Sequence, residues 1–286
     1  MRETSNDADL SHRNSEQPKP LTLTSALLKE AGFAHGFFTR RGGVSAPPFD
    51  ELNFFAGAGD NPNSVAINRQ IAAQHLGVPQ EALYYVSQVH GTDSVVLRSS
   101  DDFNDVVKKR GDITLSNNPG VACGVRSADC LPVLLADRRS GAVAAIHSGW
   151  KGTTLRVASI GVEKLRELIG NNGDIVAAIG PNISVCCFEV GDDVASELTS
   201  ASGAGESALF WGAPSSRAIE KNPSVLRTRR IDLRLIVKTQ LLESGVAAHN
   251  IDDVAGCTHC DATLYHSHRR DAERSGRLLS AIVVRS

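Results

Sequence analysis

Residues 131–147 read LPVLLADRRSGAVAAIH, two apolar runs of six separated by the five residues DRRSG. Runs this short, rich in Val, Leu, Ile and Ala, suit strands buried on both faces rather than helices. A five-residue link is too short for a helical crossover, so the two runs must form an antiparallel hairpin. The same argument, applied to GVACGV at 120 and its short link to LPVLLA, predicts a further antiparallel neighbour. A purely parallel, doubly wound sheet is thereby disfavoured.

Helical segments flank this centre. NPNSVAINRQIAAQHLG from Asn61 has a cap and then apolar Val65, Ile67, Ile71, Ala72 and Leu76 before Gly77. TTLRVASIGVEKLRELIG from Thr153 places Leu155, Ile160, Val162, Leu165, Leu168 and Ile169 on one stripe. DLRLIVKTQLLESG from Asp232 follows the same logic. Further strands are predicted at ALYYV (82), SVVL (94), DITL (112), DIVAAIG (174) and SAIVV (280). The fold class is therefore α/β with mixed, partly antiparallel sheets. Residues 21–286 are expected to form one domain, with the Ser-, Gly-, Ala- and Pro-rich stretch 199–226 as the only internal linker candidate. The polar segment 1–20 is expected to be a disordered tail.

A charge of -2, from 30 basic and 32 acidic interspersed residues, gives no basic stripe for nucleic acid. No apolar run approaches the roughly 20 residues of a membrane span. Six cysteines without an export signal suggest free thiols in the cytoplasm. A monomer or weak homodimer is expected.

The hairpin carries Cys130 just before its first strand and His147 at the end of its second, hence at the same end of the pair. His90, in SQVHGTDS, also follows a strand-like run, LYYVSQVH, and precedes Gly91. One Cys and two His suit Zn²⁺ or copper, and three protein ligands with an open fourth position is the catalytic pattern. Taken singly, a Cys in such a run is more often a small core residue. The turn HSGWKGT, with glycines flanking Trp150 and Lys151, favours a ligand site instead. Asp129 is either an acceptor for a ligating His or a maker of local backbone bonds. Arg40 and Arg41, before a double glycine, form a cationic loop able to receive phosphate or carboxylate. The single C-x-x-C at Cys257 and Cys260 is weak evidence for metal or redox chemistry and is discounted. His266, His268, Arg269 and Arg270 are expected to enter a helix facing a polar site. Glu189 is a candidate acid or base, or simply a carboxylate near a helix.

Taken together, FTRRGGVS…PFDELN, QVHG, PGVACGVRSADCLPVLLAD, GAVAAIHSGWKGT, AAIGPNIS…CFEVGDDV and CT…YHSHRRD…SGR resemble the laccase-domain (YfiH-like) purine nucleoside phosphorylase family across residues 33 to 284. The resemblance implies an α-β-β-α layered single domain, shared distantly with a glutamine-deamidating bacterial toxin. It places metal ligands on His90, Cys130 and His147. It further implies phosphorolysis of adenosine, inosine and methylthioadenosine, deamination of adenosine, and zinc as the cofactor, with copper in older naming. Some bacterial members are linked to peptidoglycan-precursor editing. Phe188 stands where tyrosine is common in the family and Lys151 where arginine is frequent; Cys186 and Cys260 look extra.

On this reading the partners are a purine nucleoside and phosphate. His90, Cys130, His147 and Arg41 are the catalytic candidates, and Arg40, Arg41, Gln88, Lys151 and Arg269 the substrate-binding ones. Three rivals stand beside it. The first is a metal-free cysteine hydrolase with Cys130 as nucleophile and His147 as base. A copper polyphenol oxidase is the second, although one trio of ligands leaves no donors for the further coppers of four-electron oxygen reduction. The last is a non-enzymatic binding protein, which would bind through an exposed apolar patch.

Overall fold

A computed structural model of the chain describes residues 19–286, so the expected tail lies outside the described residues apart from Lys19 and Pro20. Two sheets pack face to face and each is covered by helices, which is the α-β-β-α sandwich. The first sheet runs β1 (Thr22–Leu23), β2 (His35–Phe38), β14 (Leu278–Val283), β6 (Ala122–Ser127), β3 (Leu83–Tyr84). The second runs β13 (Ile251–Asp253), β9 (Ile175–Ile179), β7 (Leu131–Asp137), β8 (Val143–Ser148), β5 (Ile113–Ser116), β4 (Ser94–Val96).

β7 and β8 form the expected antiparallel hairpin, with Pro132 opposite His147. Gly141 takes φ 77 at its turn, and Asp137 accepts the Ser140 amide at 2.8 Å. Both strands are buried on both faces, as continuous apolar runs require. Leu134, Ala136, Val143 and Ala145 face the first sheet and meet Phe37, Tyr84, Val125 and Ile282. Val133, Leu135, Ala144 and Ile146 face the helices Val157–Ile169 and Leu233–Glu243. The outer face of the first sheet is covered by helix Pro62–Leu76, through Ile71, Ala72 and Leu76.

Several expectations are corrected. β6 does not pair with β7: it lies in the first sheet, between β14 and β3, and residues 128–130 step the chain into the second. Asp129 makes that step at φ 86, a conformation that breaks the strand path. The helix predicted from Thr153 is two helices, Trp150–Thr154 and Val157–Ile169, interrupted where Arg156 adopts φ 61 and Leu155 turns outward. In helix Pro62–Leu76, Ile67 is exposed, since only one side meets the sheet. The run LYYVSQVH is strand only at Leu83–Tyr84; beyond it Ser87 makes an isolated bridge to Arg110. Residues 199–226 are no plain linker: they contain β11 (Leu209–Gly212) and helix Ser216–Lys221, and β11 joins β12 (Thr228–Ile231) and β10 (Glu189–Val190) in a small third sheet.

Candidate active site

His90, Cys130 and His147 come together, their ligand atoms within 4.8 Å of one another. Two of them ride on passages between the sheets: His90 on the connection from β3 to β4, and Cys130 on the step from β6 to β7. His147 lies in β8. His90 Nε2 is 3.8 Å from Cys130 Sγ, and the two imidazoles meet edge to face at 4.9 Å. His90 itself has φ 60 and Asp129, beside Cys130, φ 86, so two of the four non-glycine residues with positive φ among the described residues lie at or beside the donors.

The carboxylate that orients the trio is Asp112, which the sequence did not single out. Fully buried, it accepts His147 Nδ1–H at 2.8 Å and the amides of Val89, His90 and Gly91 at 3.2, 3.0 and 2.7 Å. One side chain thus holds the His90 loop and fixes the His147 tautomer, leaving Nε2 for Cys130 or a cation. Burial opposes ionisation of Asp112, but these bonds outweigh it and hold the carboxyl below its usual range. Asp129 plays neither expected part: it accepts Thr258 Oγ1 at 2.7 Å and the Arg269 amide at 2.6 Å, tying the C-terminal segment to the site. No sequence signal marks Asp112, because an acid before a strand looks like any turn residue.

Burial pushes the Cys130 thiol up, yet the charge of His147 and hydrogen bonds from both imidazoles bring it below the ordinary thiol range. Burial pushes His147 down, and the Cys130 charge together with Asp112 more than reverses this. The favoured pair is thiolate and imidazolium. Gly149 shows how tightly the site is built: a Cβ there would stand 2.7 Å from His90 Cδ2 and 3.0 Å from Cys130 Sγ.

The donors fit a metal ion. Nitrogen at about 2.1 Å and sulfur at about 2.3 Å from a tetrahedral centre stand about 3.6 Å apart, close to the 3.8 Å found here. Two cavities open on the trio. One of about 410 Å³ is lined by Phe55, Gln88, Arg126 and Arg277 with all three donors. The other, of about 600 Å³, is lined by Trp150, Lys151, Phe188 and Arg269 with His90 and Cys130. His268 borders both; its Nδ1 lies 3.0 Å from the Ala272 carbonyl, and its Nε2 has no hydrogen-bond partner among the described residues.

Other expected residues sit elsewhere. Arg40 lines neither cavity: it pairs with Asp50 at 3.2 Å and donates to the Asp50, Pro48 and Ala262 carbonyls. Arg41 pairs with Glu51 at 3.0 Å on the surface. The RRGG loop is closed by its own neighbours, since Glu51 also accepts the Gly42 amide at 2.7 Å. Gln88 lines the smaller cavity, but its amide is spent on the Arg126 backbone, accepting at 2.8 Å and donating at 2.6 Å. Glu189 accepts Ser215 and Thr228 in the third sheet. His268 and Arg269 do open helix His268–Asp271 toward the polar cavity, whereas His266 is buried and Arg270 turns to the Thr258, His259 and Tyr265 carbonyls.

The arginines that line the smaller cavity with all three donors are Arg126 and Arg277. Arg126 donates to the Phe54 and Val86 carbonyls and stacks 4.5 Å over Tyr85. The Arg277 guanidinium donates only through Nη1, to the Ser275 and Gly276 carbonyls, and among the described residues its Nε and Nη2 have no hydrogen-bond acceptor.

The sequence family described as multi-copper polyphenol oxidoreductase laccase matches residues 34–285. The chain belongs to this family. It is 35% identical over 247 residues to a purine nucleoside phosphorylase of Streptomyces coelicolor, covering 86% of this chain and 93% of that one. It is 35% identical to the purine nucleoside phosphorylase YfiH of Escherichia coli, covering 85% and 90%. The crystal structure of YlmD from Geobacillus stearothermophilus superposes with a TM-score of 0.81 at 31% identity, over 95% of this chain and 98% of that one. Hypothetical protein YfiH of Bacillus licheniformis gives 0.81 at 28% identity. These likenesses bear out the family and the layered fold.

Proposed function

We propose that the chain is a purine nucleoside phosphorylase whose reaction centre is the His90–Cys130–His147 trio. The observation that carries this reading is the unpaired edge of Arg277 in the cavity that also holds all three donors; the names of the relatives support it. Phosphate would bind Arg277 Nε and Nη2, with Arg126 adding charge, and the nucleoside would fill the larger cavity between Trp150, Phe188 and Lys151. Attack of a phosphate oxygen on the anomeric carbon breaks the glycosidic bond and leaves the electron pair on the purine. The cationic walls stabilise that charge, and the enclosing aromatic groups limit water. His90, Cys130 and His147 would hold Zn²⁺ or copper, with Asp112 orienting His147. When bound, the ion supplies Lewis acidity and can lower the pKa of water to about 7; this suits deamination of adenosine in the same cavity as a second, phosphate-independent activity.

Adenosine, inosine and methylthioadenosine, each incubated with and without phosphate, test the proposal. Free base and ribose 1-phosphate formed only with phosphate support it. Arg277→Met should raise the KM for phosphate at least ~10-fold while sparing any phosphate-independent deamination. Turnover unaffected by phosphate would refute it.

A second reading, a cysteine hydrolase, is favoured by one observation. Cys130, His147 and Asp112 stand in the order nucleophile, base and orienting acid. Activity indifferent to chelators yet abolished by thiol alkylation would select it. Oxidase chemistry is not proposed: among the described residues only one further cluster of metal donors exists, and it contains no imidazole.

A further inference from the structure

The discounted C-x-x-C is not alone. Cys186 and Cys187, on the loop after β9, meet Cys257 and Cys260, and the four sulfurs lie within 4.8 Å of one another. Cys187 and Cys260 are 3.3 Å apart, and Cys186 is 3.6 Å from both Cys257 and Cys260. A disulfide needs about 2.05 Å. Four sulfurs about 2.3 Å from one tetrahedral zinc stand about 3.8 Å from each other. The three spacings of 3.3 to 3.6 Å lie near the edge of such a tetrahedron.

We infer that Cys186, Cys187, Cys257 and Cys260 bind a structural Zn²⁺, separate from the trio and with no open position. The backbone is laid out to receive it. Asn182 and Cys257 form an isolated parallel bridge, in which Asn182 donates to the Gly256 carbonyl at 3.2 Å and Thr258 donates to the Asn182 carbonyl at 3.1 Å. The Ser184 amide points at Cys257 Sγ from 3.5 Å, the kind of N–H to sulfur contact that stabilises a thiolate. Four thiolates around Zn²⁺ carry a net charge of about -2, and Arg230 and Arg269 line the adjoining cavity and offset it. Arg230 Nη1 also donates to the Cys186 carbonyl, holding that loop in place.

The ion would tie together two loops that both reach the reaction centre. The first carries Ile183 and Phe188, which wall the larger cavity. The second carries Thr258, which bonds Asp129 beside Cys130. Zinc here would therefore stabilise the wall of the nucleoside cavity without touching substrate, and the inference does not depend on the function proposed above.

The test is metal content of full-length protein purified under reducing conditions, using Cys130→Ala to empty the trio. Cys130→Ala should retain about one zinc per chain, and Cys130→Ala with Cys257→Ser and Cys260→Ser should retain none. Cobalt exchanged into Cys130→Ala should show the intense thiolate charge-transfer and d–d bands of a tetrahedral sulfur site. Because the double serine change could unfold the loops, Cys186→Ser, at an exposed position, is compared as well. Chelator should lower the Tm of Cys130→Ala and leave that of Cys130→Ala/Cys186→Ser much less affected. A zinc-free Cys130→Ala that stays zinc-free after loading overturns the inference. So does an intact mass showing disulfides among these cysteines in the reduced preparation.

Discussion

At the scale of single residues, the site depends on groups that are small or uncharged as much as on the donors. Gly149→Ala puts a methyl against His90 and Cys130. Activity should fall ~100-fold or more, since misplacement by about 1 Å costs this much, while far-UV circular dichroism stays unchanged. His266 is buried with Nε2 unpartnered, and burial, then the charges of Arg40, Arg270 and Arg277, hold it down to about 3 from 6.5. Its folded pKa lies below its unfolded one, so the unfolded chain takes up the proton first as pH falls. Stability from this source is complete above about pH 6.5 and is lost on the way down toward pH 3, by up to about 1.4 kcal/mol per pH unit. Urea midpoints of wild type and His266→Gln at pH 7, 6 and 5 should therefore converge as pH decreases. His90, Cys130 and His147 were legible because each is an unusual residue at the end of an apolar run. Asp112, Arg126 and Arg277 were not. Asp112 acts on His147, 35 positions away in sequence, and an arginine in a strand reads as solvent-facing until its two carbonyl acceptors are seen.

At the scale of elements, helix Val157–Ile169 seats directly on β8 because Gly161 has no side chain, and a Cβ there would collide with Ile146 Cδ1 and Cγ1. Ile146 adjoins His147. Gly161→Ala should cost about 1–3 kcal/mol of unfolding free energy, measured in urea. Adding Ile146→Val should return part of it, a coupling that a double-mutant cycle would show. The hairpin, the caps at Asn61 and Asp232 and the stop at Gly77 were readable because turn length and capping are local properties. The break at Arg156 was not, because the apolar period continues across it. Nor was the separation of β6 from β7: a link as short as residues 128–130 serves a change of sheet as well as a hairpin, and only the packing of the second layer decides. The four-cysteine cluster failed to register for a related reason, since its halves are weak alone and meet through a bridge between Asn182 and Cys257.

At the scale of the whole molecule, the chain passes between its two main sheets at residues 85–93, 117–121, 128–130 and 254–277, and three of these passages supply the walls or donors of the site. The last strand, β14, is central to the first sheet, between β2 and β6. Amides of β6, β7, β8 and β14 should be the slowest to exchange with deuterated water, and those of residues 199–226 among the fastest, read by mass spectrometry at peptide resolution. The passages at 85–93 and 128–130 also have a kinetic meaning. Neither sheet alone can bring His90 and Cys130 to His147, so the trio exists only after the layers have docked. Conservative substitutions in the β7–β8 hairpin should then change the refolding rate, whereas truncations at the trio should change only the unfolding rate, with φ-values near zero. The polypeptide would complete its proposed reaction centre last, and a chain caught halfway through folding would hold neither a formed pocket nor the thiolate–imidazolium pair.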